Sequence, residues 1–409
     1  VHKGCQVTNL PLLRQSERAV FKKCQWAWYQ EYVRNIRPIN EKFAQAADFG
    51  TIGHVCLAEY YCGPGAKRGP HPADTWHILA GDIITNIKTV ETIDEDLVAT
   101  WEDFRSLGFE LLNAYVERYH GDPHWDVLDA ERRFDILIPD VRVARQTSVK
   151  GRRVYTPIVK LVGTIDLCIR DLNQMHKGKP VVKMVDHKFL GRILQTEYLT
   201  LDEQPSTYIA VGTHALQSQG LIGKDEAIMG MEYNFVKRAK LDNRPRDEQG
   251  LARNQPKKAD YLAALSAYYD EPGVAPHGLF AANKDGTRYS LAELAEEARQ
   301  CGLKVYGSVS ADQASDNFKR VFVPRTPKER QRQIIRISEE ASVMDMVRKG
   351  QLPVLKTPTK DCLYCKFFDM CELDEQSKLD DYFIETTTKP HDPYADHRDN
   401  AVNSKKVAQ

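Results

Sequence analysis

The chain has 409 residues, 57 basic and 57 acidic side chains, and 42% hydrophobic residues, enough apolar content for a substantial core. With no net charge there is no global field to attract nucleic acid, so any such binding must be local. No apolar stretch is long enough for a membrane span or shaped like a secretory signal, and an odd count of nine cysteines fits a reducing cytoplasm better than a secreted disulfide scaffold.

In chain order, residues 16–32 read as an amphipathic helix with Cys24 and the aromatic cluster Trp26, Trp28 and Tyr29. Residues 43–61 have helical periodicity. Within them Gly50-Thr51-Ile52-Gly53-His54 leads into Val55-Cys56-Leu57-Ala58, which places His54 near a helix start where an imidazole can reach a metal. A further helix is predicted over 97–119, with Phe104, Leu107, Phe109, Leu111, Leu112 and Tyr115 as its core face. Glu131 opens a strand-like segment, either as an accessory acid or as a solvated strand-end carboxylate.

Two apolar runs follow. Residues 158–169 contain Gly163-Thr164-Ile165-Asp166, and residues 181–190 contain Val185-Asp186-His187-Lys188; the polar stretch 171–180 between them reads as the turn of an antiparallel hairpin. Alternation along a strand points Asp186 and Lys188 one way and His187 the other, and a register that brings Asp166 alongside gathers two carboxylates and an ammonium. Carboxylates suit hard divalent cations such as magnesium or manganese. These keep waters, so positions remain for a phosphate oxygen and an attacking water, while Lys188 orients the nucleophile or offsets developing charge; proximity to the ion should lower its pKa. A D-x-K tripeptide alone arises readily by chance on a solvated strand face. Company strengthens it: residues 201–208 open a helix with Asp202 as N-cap, and Gln204 and Tyr208, four apart, share its face.

Residues 228–236 read as another strand. The less regular 237–327 is an expected insertion with helical pieces at 261–269 and 291–300, and a helix over 328–347 leads into Cys362, Cys365 and Cys371, spaced C-x2-C-x5-C. Three thiolates lack a local fourth, and Cys24 is the best candidate because its aromatic neighbours would wall off the site. Cys5, Cys56, Cys62, Cys168 and Cys301 read as ordinary small residues. The tail, 386–409, is polar and expected to be disordered.

With these motifs in place the chain resembles the PD-(D/E)XK nuclease superfamily, in its RecB-like exonuclease branch and its bacteriophage members. The resemblance implies an α/β fold, a central mixed sheet flanked by helices in a restriction-endonuclease-like core. It implies that His54, Asp166, Asp186 and the backbone carbonyl of His187 bind the metal, that Lys188 assists, and that Gln204 and Tyr208 contact DNA or steady the site. The iron-sulfur members of this branch, AddB-type nucleases and CRISPR-adaptation exonucleases, place one cysteine before the core and three after it. A four-iron, four-sulfur cluster on Cys24, Cys362, Cys365 and Cys371 is implied, joining the two ends of the chain. Zinc suits four thiolates equally on ligand type, but its sites usually use two close pairs, so the three-plus-one split favours the cluster.

The expected organisation is 1–60 with the first cysteine and His54, helical 61–125, nuclease core 126–236, insertion 237–327, cysteine region 328–385 and tail 386–409. Two basic stretches offer phosphate contacts: Lys237, Arg238, Lys240, Arg244, Arg246, Arg253, Lys257 and Lys258, then Arg325, Lys328, Arg330, Arg332 and Arg336. The expected function is a DNA exonuclease acting on ends or single strands in recombination, repair or replication. The alternative is a non-catalytic iron-sulfur DNA-binding or recombination-mediator protein on the same fold. No G-x-x-x-x-G-K-[ST] phosphate loop is present, so ATP-driven unwinding would require a partner helicase or recombination protein.

Overall fold

The structure, a computed structural model, describes residues 10–40, 44–62, 67–89, 94–141, 147–149, 152–154, 156–193, 196–275, 278, 288–313 and 316–398. The chain forms two units, Val1–Arg238 with Phe318–Gln409, and Ala239–Asn317.

The first unit begins with β1 (Leu12–Leu13), α1 (Gln15–Lys23), α2 (Gln25–Trp28) and β2 (Ile36–Pro38), followed by the helices α3 (Ala44–Tyr60), α4 (Pro72–Lys88) and α5 (Glu95–Tyr119). Next come β3 (Trp125–Pro139), the ribbon β4 (Thr147–Val149) and β5 (Arg152–Val154), then β6 (Pro157–His176), β7 (Lys179–Leu190), α6 (Glu203–Ser218) and β8 (Ile228–Lys237). The second unit holds α7 (Lys258–Tyr269) and α8 (Leu291–Gln300), joined by a small core of Leu265, Tyr269, Leu294 and Ala298. The chain returns to the first unit as β9 (Phe318–Pro324), α9 (Pro327–Arg348), α10 (Phe368–Glu375), α11 (Asp381–Thr387), β10 (Thr388–Pro390) and α12 (Ala395–Arg398).

Six strands form one mixed sheet, in which β6 pairs with β1, β3 and β7, β8 lies beside β7, and β9 closes the edge. The β7–β8 and β1–β6 pairs are parallel, and the others antiparallel. This is the expected α/β architecture. From Val181 to Phe189, β7 is almost continuously buried, as a central strand covered on both faces should be. Helices α6 and α9 cover Leu161, Ile165, Met184 and Tyr233 through Ile209, Val211, Ile337 and Met344. On α6, a Cβ at Gly212 would fall 2.1 Å from Met184 Cε, so the glycine permits this close approach. Asp202 caps α6 by accepting from the Gln204 N–H at 2.9 Å.

Several expectations need correction. The 16–32 helix breaks at Cys24, whose backbone is extended between α1 and α2, and residues Tyr29–Val33 then form a π-helical turn. His54 lies well inside α3 rather than near its start, because the small residues around it serve packing instead of ending the helix. The hairpin turn is only Lys177 and Gly178, both at positive φ, so most of 171–180 continues the two strands. Phe109 is 38% exposed rather than core, while Leu111, Leu112 and Tyr115 are buried. Residues 318–324, expected in the insertion, form the edge strand β9. The tail is ordered through 398: β10 pairs with β2, and Tyr394 is buried. Residues 399–409 lie outside the described residues, as does Cys5. Among the described residues no helix is long and apolar enough to cross a membrane.

Candidate metal-dependent catalytic site

Along one edge β6 is paired by β3, and along the other by two strands in succession: β7 from Leu167 to His176, then β1 at Lys160 and Leu161. Residues 162–166 span the fork where β7 leaves and β1 takes its place. Asp166 sits there. The His187 N–H donates to Asp166 Oδ2 at 2.9 Å, replacing a ladder bond at the point of divergence.

Farther along β7, Asp186 and Lys188 form an ion pair, with Lys188 Nζ 2.7 Å from Oδ2 and 3.0 Å from Oδ1. Gln204, in the first turn of α6, donates to Asp186 Oδ1 at 2.8 Å. Tyr208, one turn on, is turned inward, edge-on to Phe134 at 5.6 Å. His187 points away from this group and stacks on Tyr61 at 6.0 Å.

Helix α3 supplies His54, whose Nδ1 lies 3.1 Å from Asp166 Oδ2. A Cβ at Gly53 would lie 2.4 Å from Phe189 Cζ, so the preceding glycine lets α3 settle against β7 closely enough for this contact. From the other side, β3 passes Asp166 between the pairs Ala130↔Leu167 and Arg132↔Ile165, which sets Glu131 level with it. Glu131 has φ 48° in mid-strand, a left-handed backbone that a residue with a Cβ seldom adopts. Ligand atoms of His54, Glu131 and Asp166 all lie within 4.8 Å of one another, at the floor of an open cleft of about 710 Å³ bounded by Thr51, Lys188 and Leu190. Asp186 stands beside this trio rather than in it, with Lys188 and Gln204 both donating to its Oδ1.

The electrostatics match a crowded acidic site. Burial, reinforced by the Asp166 charge, pushes Glu131 up to about 7. Burial likewise raises Asp186 to about 6, the Asp166 charge adding to it against the opposing Lys188 ammonium. Asp166 moves the other way: burial would raise it, but the His54 hydrogen bond and charge hold it below the ordinary value. For Lys188, burial is outweighed by Asp186, and its pKa is raised. Burial drives the His187 imidazole down to about 3.

The donor set fits a divalent cation. Carboxylate oxygens from Glu131 and Asp166 with the His54 imidazole suit a divalent ion such as magnesium or manganese, and beside them buried Asp186 Oδ2 has no well-directed hydrogen bond despite the nearby ammonium.

The four cysteines also converge. Cys24, Cys365 and Cys371 pack against buried Trp26, Phe367 and Met370, and the Thr359 N–H donates to Cys362 Sγ at 3.3 Å. Burial raises the Cys365 thiol, with Cys24 and Cys362 adding to it, so these groups share one electrostatic neighbourhood. Among the described residues no three cysteine sulfurs lie within 4.8 Å of one another.

The basic stretches fare differently. Arg325 is buried and donates to Ser206 Oγ and to the Leu199 and Asp202 carbonyls, so it fastens the start of α6 instead of facing a phosphate. In the second unit Arg244 and Arg246 pair with Asp242, and Arg253 with Asp247. Sequence reasoning also missed Asn234, Arg320, Asp122 and Tyr61, which form a buried polar network behind His187. The only available signal was a polar Asn234 inside the apolar strand β8.

A family model described as the PD-(D/E)XK nuclease superfamily matches residues 15–372. No curated protein matches the chain.

Proposed function

The chain belongs to the PD-(D/E)XK nuclease superfamily, and on that premise we propose that it is a magnesium- or manganese-dependent DNA exonuclease acting on ends or single strands. The observation that supports this reading is the meeting, at the β6–β7 fork, of the His54–Glu131–Asp166 trio with the Asp186–Lys188–Gln204 group. Acids raised mainly by burial and crowded beside Asp166 have no use in a passive binder, so the non-catalytic alternative is disfavoured.

In this reading His54, Glu131, Asp166 and Asp186 hold the cation, with the His187 carbonyl as a further ligand. A bound divalent ion supplies Lewis acidity and an acidified water. Hydrolysis forms a bond from water oxygen to phosphorus and breaks the bond to the leaving sugar oxygen. A site carboxylate would take the water proton and a solvent water would return one to the leaving sugar oxygen, while Lys188, held against Asp186, would donate to a non-bridging phosphate oxygen as its charge grows. Gln204 fixes Asp186, and Tyr208 buttresses α6 against β3.

We further place an iron-sulfur cluster on Cys24, Cys362, Cys365 and Cys371, with a structural role. The work we assign is end processing in recombination, repair or replication, alongside a helicase or recombination protein, in a bacterial or phage-infected cytoplasm.

The test is a time course on end-labelled single- and double-stranded oligonucleotides with manganese, with chelator, and with Asp186→Ala. Stepwise ladders that vanish with chelator and with the variant are expected. Binding without metal-dependent cleavage would overturn the enzyme reading in favour of the mediator; internal cuts without a ladder would overturn the exonuclease assignment.

A further inference from the structure

Directly in register across three strands lie His187 on β7, Asn234 on β8 and Arg320 on β9. Asn234 Nδ2 stands 2.8 Å from His187 Nδ1 and donates to Tyr115 Oη at 2.9 Å, while Asn234 Oδ1 accepts from Arg320 Nε at 3.2 Å. Arg320 is gripped by Asp122 through two guanidinium nitrogens, at 2.5 and 2.8 Å, and lies over the rings of Tyr119 and Trp125. Tyr61, stacked on the imidazole, donates to Asp122 Oδ2 at 2.6 Å, closing the network. Residues from α5, β3, β8 and β9, and from just beyond α3, thus converge on one ring that faces away from Asp186 and Lys188.

We propose that Asn234 and Arg320 are positioning residues of the nuclease site: they set the tautomer and orientation of His187, and through its backbone the placement of Asp166. The proposal rests on the nuclease reading above. A guanidinium only donates, so Arg320 requires the carbonyl oxygen of Asn234 to face it. The amide NH2 must then face His187, which makes Nδ1 the acceptor and leaves the proton on Nε2. The orientation of the amide, normally ambiguous, is fixed here by its neighbour on β9. The same ring is continuous with the main chain whose N–H grips Asp166 at the fork. A buried arginine–carboxylate pair is costly to desolvate, and well-packed apolar residues would be at least as stable in its place. What the network adds is one ring position and one backbone position.

The test combines 15N spectra of histidine-labelled protein with cleavage kinetics for Asn234→Asp, which replaces the NH2 donor by an acceptor. In the parent, His187 should show the Nε2–H tautomer. In the variant that signature should be lost, and half-saturation by magnesium should rise about tenfold or more, as for other partners that orient a metal site. The KM for the oligonucleotide should stay within about twofold, since only the metal geometry is disturbed. A merely structural role would lower the melting temperature and move neither the tautomer nor the magnesium dependence. If Asn234→Asp does not fold, Arg320→Lys, which keeps the charge but loses the fork, should raise magnesium half-saturation in the same direction. An Nδ1–H tautomer in the parent, or unchanged magnesium half-saturation in the folded variant, overturns the proposal. A parent protein that never cleaves overturns the nuclease reading instead, while the tautomer measurement still decides the role of Asn234.

Discussion

At Glu131 the backbone itself is bent to the needs of the site. A left-handed residue inside a strand costs on the order of 1–3 kcal/mol and persists where the surroundings demand it. Here the return is a third acid level with Asp166. Glu131→Gln should therefore weaken magnesium binding by about tenfold or more, read as the half-saturation of cleavage, with DNA affinity nearly unchanged. Glu131→Gly should be at least as heat-resistant as the parent in the absence of metal, because glycine accepts that φ and no acid is then crowded. The pH dependence has a defined sign. Glu131, near 7, and Asp186, near 6, are carboxyls raised by folding, so their contribution to metal-free stability is complete below the ordinary carboxylate range and is lost as pH rises through 6 and 7. Asp166, lowered, titrates below that window. Magnesium should consequently raise the melting temperature more at pH 8 than at pH 5, which paired thermal melts would show. An equal gain at both values would contradict the site's assignment as the cation's ligands.

Helix α6 is the element through which distant parts of the chain reach the site. Buried Arg18 on α1 pairs with Glu203 of α6 at 2.7 Å and Glu340 of α9 at 2.6 Å, and it donates to Thr207 at 3.2 Å. Glu203 adjoins Gln204, which holds Asp186. Removing the guanidinium leaves two partly buried carboxylates without it, so Arg18→Met should destabilise the fold by on the order of 3 kcal/mol, measured by denaturant unfolding. Helix α6 was also the element most open to prediction from sequence, because its Asp202 cap and its Gln204–Tyr208 spacing are local signals. The β6–β7 hairpin was legible for a similar reason, since both strands are apolar and punctuated by a polar stretch. The partners that only register brings together were not. Asn234 and Arg320 are 86 residues apart and meet as neighbours on adjacent strands, and Arg325 looked like a surface cation until packing enclosed it; Glu131 was a candidate acid, but the sequence left open whether it joined the site or only ended a strand, and a mid-strand backbone irregularity sets it level with Asp166. His54 was identified, but its position inside α3 depends on Gly53 meeting Phe189, a tertiary contact.

On the scale of the whole molecule the two ends of the chain are bound together several times over. Trp26 donates its N–H to the Leu355 carbonyl at 3.0 Å, β2 pairs with β10, and buried Glu17 accepts from Trp28, Arg348 and Tyr394. The cysteine cluster would add a closure of nearly the full chain length, whose effect lies in the unfolded state. Cys365→Ser should lower the melting temperature by several degrees while these protein contacts keep the chain folded at room temperature. An unchanged melting temperature would remove the structural role assigned to the cluster. A different freedom follows from the β8–β9 pairing, in which Val236 lies directly opposite Phe318. The whole of Ala239–Asn317 leaves and re-enters the sheet at adjoining points, so the scaffold treats it as a cassette. Its excision and replacement by a tight glycine-containing link should leave an intact sheet, and other sequences joined at the same two points should leave the chemistry of the first unit unaltered.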